Sequence, residues 1–177
     1  FLASTEGSLA VAGAFLTAQL YVIGFSWLML RYFHGSDWPR RVALRWPGWR
    51  ISLVVLASTP AFVFLGNLIY QWLRQAMPVA ENPTVPGMEI VTHLFRTWPA
   101  VFSVLVIGFG PGIGEELWCR GFLGRGLVGR YGVWVGVLLT SFLFGLIHID
   151  PRQGIMAMLM GFWLHFVYLT TWSLWMP

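Results

Sequence analysis

The chain has 177 residues, of which 57% are hydrophobic and 17% aromatic, and only 10% are charged. Soluble domains carry about 25% charged residues, so the composition excludes an ordinary soluble domain and indicates a membrane protein. The net charge of +4 comes from eleven arginines and no lysine. These arginines sit between apolar runs, where they read as a topology signal rather than a nucleic-acid surface; no DNA-binding motif accompanies them. A single cysteine, Cys119, excludes an intrachain disulfide framework and most cysteine-based metal sites.

In chain order, five charge-free runs are predicted as membrane spans: residues 7–30, 51–73, 97–114, 131–147 and 153–177. The first two exceed the ~20 residues needed to cross a bilayer as helix, whereas the third and fourth need the charged stretch between them to reach that length. The first is too long for a signal-peptide core and has no basic residue ahead of it. The linker 31–50 holds five arginines against Asp37 and is rich in tryptophan, as a cytoplasmic loop with interfacial anchors would be. The 74–96 linker carries Pro78, Pro83 and Pro86 and is nearly neutral; His34 and His93 lie in these linkers and read as solvated. With the amino terminus outside and Arg120 left out of the count, seven arginines fall on the cytoplasmic side and three outside. The fold class is therefore all-α: a polytopic transmembrane helical bundle in the lipid bilayer of the cell (plasma) membrane. It divides into N-terminal helices and linkers (1–99) and a C-terminal core (100–177).

Small residues recur at helical spacing, at Gly132 and Gly136, Ser141 and Gly145, and Gly154 and Gly161, and predict close helix–helix packing. "GFGPGIG" (108–114) lacks the strand–helix context of a nucleotide loop and instead predicts a helix loosened by Pro111. Directly after it, "GEELWCRGFL" places Glu115, Glu116 and Arg120 in the apolar centre of the chain. Each charge at mid-membrane costs at least ~2.5–3.5 kcal/mol. Glu116 and Arg120, four apart, share a helix face and can pair, while Glu115 points about 100° away. An ion pair needs one glutamate, so Glu115 is the surplus. The short turn near "GRYG" makes a hairpin of the next span, and residues equidistant from it lie level. That pairs the height of Glu115 with that of His148, and the height of Arg120 with the neighbourhood of Phe144. A desolvated carboxylate can act as a general base toward water. A histidine can bind a metal or donate to an oxyanion. Glu115 and His148 are thus candidate ligands for a divalent metal such as zinc, though two ligands do not make a site.

These residues carry a family resemblance. "EELWCR" matches EExxxR and "FGLIH" matches FxxxH, in the order and separation of the first two motifs of the CPBP (CAAX protease and bacteriocin-processing, or Abi) intramembrane proteases. "RGFL" and "GFWLHFVYLTTWSLWMP" resemble that family's flanks, and the likeness spans about residues 100–177. The resemblance implies an intramembrane endopeptidase acting on a membrane-bound or lipidated protein or peptide. In it, Glu115 activates water, Glu116 and Arg120 complete the first motif, and His148 holds the water, a metal or the oxyanion above Phe144. A metal-dependent site and a metal-free glutamate–histidine site both fit. The family's third motif, a histidine followed four residues on by Asn, comes after the turn reading "SLWMP"; with a start at Phe1 and an end at Pro177, further residues are expected at both ends. His165, before that turn, reads as a packed or lipid-interface histidine, and Arg125 and Arg130 as interface anchors. Asp150 reads as a helix-end residue before Pro151. The rival reading is a non-catalytic immunity or scaffold membrane protein whose polar group only fixes helix register. A proton-coupled transporter would need inverted repeats, and none is evident.

Overall fold

A computed structural model describes residues 5–77, 96–148 and 150–177; the proline-bearing linker with His93 lies outside the described residues. Within them the chain is helical. Helix α1 (Thr5–His34) leads through one 3₁₀ turn (Gly35–Asp37) to the short α2 (Trp38–Arg41), and α3 is Trp49–Ala76. Helix α4 runs over Ala100–Tyr131, α5 is Val133–Leu146 and α6 is Pro151–Thr171.

The apolar runs became helices because a backbone in lipid must satisfy its own hydrogen bonds. Four of these helices are long and apolar enough to cross a membrane: α1 with α2, α3, α4 and α6. The fourth expected span is shorter than the charge-free run that suggested it. Helix α5 has 14 residues, which at 1.5 Å each is about 21 Å, less than the ~30 Å hydrocarbon core. Gly132, at φ 82°, takes a backbone conformation that favours glycine and breaks α4 from α5. It is therefore a turn residue rather than the packing residue its spacing suggested.

The other small residues do bring helices together. A Cβ on Gly136 would lie 2.5 Å from the Val128 backbone, and one on Gly145 would lie 2.6 Å from the Gly154 carbonyl oxygen. So α5 lies directly against both α4 and α6, at distances only glycine permits. Helix α4 is loosened, as Pro111 predicts. The Gly110 N–H reaches five residues back to Leu105 O, and π-helical turns occupy Val104–Phe109 and Leu117–Gly124. Proline has no N–H for the carbonyl four residues earlier, that of Ile107, and crowds it, and the first of these wider turns accommodates both effects.

At the arginine-rich end, the segment after α2 is fastened to the turn after α6. Tyr168 Oη donates to Val42 O (3.0 Å), Arg45 Nε to Trp172 O (2.8 Å), Ser173 Oγ to Arg45 O (2.5 Å) and the Leu174 N–H to Ala43 O (3.0 Å). Leu30, Val42, Tyr168 and Leu174 form the apolar cluster beneath. Helix α1 is thereby held beside α4, which decides what faces Glu115.

Candidate active site

The two adjacent glutamates part company. Glu116 faces α6 and Glu115 faces α1, as their 100° offset on a helix requires. Glu116 Oε1 lies 2.7 Å from Arg120 Nη1. Arg120 is completely buried, donates through Nη2 to Gly161 O on α6 (3.2 Å) and lies over the Phe144 ring at 5.3 Å. Phe144 itself packs against Gly161. This cluster joins α4, α5 and α6 at one level and neutralises one of the two carboxylates. Arg120 Nε and Glu116 Oε2 remain buried without a hydrogen-bond partner, an uncommon state for buried polar atoms.

Glu115 has no ion pair or hydrogen bond among the described residues. It lines a cleft of about 250 Å³ with Gln19, Phe25 and Ser26 from α1, Trp118 from α4 and Ile147. It lies within electrostatic reach of His148 and Arg120. His148 follows α5, half-buried, with its ring edge-on to Phe144 at 5.2 Å. Its Nδ1 is 2.9 Å from Phe144 O. A carbonyl oxygen can only accept, so Nδ1 carries the proton and Nε2 keeps a lone pair. In that tautomer the ring can accept a proton from water or bind a metal; it donates to an oxyanion only when doubly protonated.

The donor set suits a metal only in part. Glu115 and His148 are of the right chemistry, but among the described residues no group of three His, Cys, Asp or Glu could hold an ion. A third protein ligand would have to come from elsewhere. Cys119 is buried on the same helix and lines the same cleft as Glu115. Asp150 caps α6 by accepting from the Arg152 N–H (2.8 Å) and pairs with the Arg152 guanidinium (3.1 Å). That is the helix-end role. His165 is not at a lipid interface: it is buried between α6 and α4. Arg125 bridges α4 to α6 through Tyr168 Oη (3.1 Å) and Trp172, more than an anchor at the surface.

Sequence reasoning missed the wall opposite Glu115. Gln19 and Ser26 are seven residues apart on α1, two turns along one face, and are among the few polar residues, with Ser8 and Thr17, in a mostly apolar run. That spacing was the available signal. Ser26 Oγ is buried and unpartnered, and Gln19 packs against Gly110 and Gly114 of α4.

Comparison with known proteins bears on the part of the chain that holds these motifs. No curated protein matches, and no solved structure does. Residues 97–177 match the family described as type II CAAX prenyl endopeptidase Rce1-like. Both glutamates, Arg120 and His148 lie inside that matched segment.

Proposed function

We propose that this protein is an intramembrane endopeptidase that hydrolyses a peptide bond in a membrane-associated or lipidated protein, with Glu115 as the general base. One observation carries the reading. Of two adjacent half-buried carboxylates, Glu116 is matched by Arg120, while Glu115 is left unmatched at the wall of an apolar cleft near a histidine with a free lone pair.

The chemistry follows from those positions. Water between Glu115 and His148 gives a proton to the Glu115 carboxylate, and its oxygen bonds to the substrate carbonyl carbon. The protonated Glu115 then returns that proton to the amide nitrogen as the C–N bond breaks, leaving a carboxylic acid and an amine, which ionise to carboxylate and ammonium as the acid proton passes to the amine. Gln19 and Ser26 offer hydrogen-bonding groups to the substrate backbone, and Tyr21, Phe25 and Trp118 offer apolar surface for its side chains or lipid. Arg120 and Glu116 hold α4 against α5 and α6, so that Glu115 keeps its distance from His148. A divalent metal, if held by Glu115 and His148 with a further ligand, would polarise the water and the scissile carbonyl.

The test uses the full-length protein in nanodiscs with a library of membrane peptides. Glu115→Gln and His148→Ala should each remain folded and lose at least ~10²-fold in cleavage rate, the scale of one general base. The rival reading, a non-catalytic scaffold or immunity protein, draws on the Arg120 bond that ties α4 to α6. It is favoured if wild type cleaves nothing and Glu115→Gln changes only the melting temperature.

A further inference from the structure

About 15 Å along α4 from Glu115, at 1.5 Å per residue, α4 and α6 enclose a second cavity that the proposed hydrolysis does not use. Its volume is about 140 Å³, several times the ~30 Å³ share of one water molecule. Arg125, His165 and Tyr168 supply its polar wall, and Val128, Leu169 and Trp172 much of the rest.

His165 is only 1% exposed, yet neither ring nitrogen has a hydrogen-bond partner. Leaving buried polar groups unpaired is costly, and leucine at this position would avoid that cost. The ring fits because position 124 is glycine; a Cβ there would collide with the imidazole. Arg125 donates to Tyr168 Oη and lies 5.6 Å over Trp172, and no carboxylate pairs with it among the described residues. Tyr168 passes its own proton to Val42 O, so its oxygen has nothing further to donate. Among the residues lining the cavity, the donors left over therefore belong to Arg125 and His165, a pairing that suits an anion.

The surroundings narrow the anion. This end of the bundle carries Arg31, Arg40, Arg41, Arg45, Arg50 and Arg130 besides Arg125, against Asp37. Trp46, Trp49, Trp172 and Trp175 are all exposed here, and exposed tryptophans mark the headgroup level of a bilayer. Tetrahedral phosphate oxygens concentrate at that level, and a guanidinium and an imidazole that line one cavity can engage two of them.

We propose that this cavity binds one phosphate group, held by Arg125 and His165. A phospholipid headgroup and free inorganic phosphate share that chemistry, and the experiment has an arm for each. Full-length protein in neutral detergent is melted while inorganic phosphate is titrated against chloride at equal ionic strength. In parallel, mixed micelles of phosphatidylglycerol are compared with diacylglycerol of the same acyl chains. A saturable rise in Tm is expected. A rise in the phosphate arm identifies the free anion as sufficient, and a rise with phosphatidylglycerol alone identifies the headgroup. Arg125→Gln and His165→Phe should each weaken apparent binding roughly tenfold, the scale of one charge-assisted hydrogen bond. Arg130→Gln removes the same charge from an exposed side chain and should leave binding unchanged. Should Arg125→Gln fail to fold for want of its Tyr168 contact, His165→Phe carries the comparison alone. No rise in either arm overturns the proposal, as does a rise that Arg130→Gln weakens as much as His165→Phe does.

Discussion

Helices α3 and α6 are both long and apolar, and α3 is the more hydropathic, yet none of its most apolar stretch is buried while a third of that of α6 is. Helix α3 touches α6 along one stripe, through Gly66 against Met156 and Phe62 stacked on Trp163 at 5.2 Å. Most of the rest of it, Leu73 near its end apart, faces outward. In water such a surface would drive collapse; in lipid the acyl chains solvate it as well as another helix would. What buries α6 is its small residues, Gly154, Ala157 and Gly161, which let α5 and the Arg120 cluster approach. In this protein size and polarity, more than hydrophobicity, decide which helix is inside.

That contrast can be broken by experiment, and the largest effect should come from the charged centre. Arg120→Met leaves Glu116 buried without its cation and should cost about 3–5 kcal/mol. Replacing Glu116 by Gln in the same chain should return much of that loss, a coupling that thermal or denaturant unfolding in detergent would measure as a double-mutant cycle. If the double variant is no more stable than Arg120→Met alone, the pair is not what joins α4 to α6.

Next is the α5–α6 contact. Gly145→Val drives a side chain into the Gly154 carbonyl and should cost at least ~1–3 kcal/mol, the range for overpacking, or separate the helices altogether. The matching change on α3, Gly66→Ala, meets only the mobile end of Met156 at 3.4 Å. It should stay within ~0.5 kcal/mol of wild type. Equal losses at the two sites would remove the distinction between the helices.

A smaller effect is expected at the cap of α6. Asp150→Ala should cost about 1 kcal/mol, read as a lowered Tm. The Arg152 hydrogen bonds hold the Asp150 carboxyl below the usual aspartate range. Its folded value is thus depressed relative to the unfolded one, near 3.9. The contribution is complete above that value and fades as pH falls through the folded one. Asp150→Asn, which keeps a cap without the charge, should therefore flatten the acid side of the stability profile. Smallest of all, Leu53→Ala on the outward face of α3 should leave the unfolding transition nearly unmoved.

Much of the site could be read from the chain alone. The Glu116–Arg120 pair follows from a spacing of four, and the meeting of Arg120 with Phe144 follows from counting back from the "GRYG" turn, because both are properties of one helix or one hairpin. The loosening of α4 follows from Pro111. What escaped was everything set by elements distant in sequence. Gln19 and Ser26 were unremarked polar residues until α1 was laid beside α4. His165 read as either a packed or a lipid-interface histidine, because nothing in its own helix says that Gly124, 41 residues earlier, leaves it a socket.

By itself, the sequence determined that this is a membrane helical bundle, where its helices lie, and that its polar centre holds one carboxylate more than a single ion pair needs. Helix formation in lipid is local, since each segment satisfies its own backbone, and so local patterns suffice to find it. Only the tertiary structure decided what the surplus carboxylate faces, and that the turn after α6 grips the segment after α2. Those outcomes depend on how closely two backbones can approach, and that distance is set jointly by small residues on both helices, which no single stretch of the chain contains.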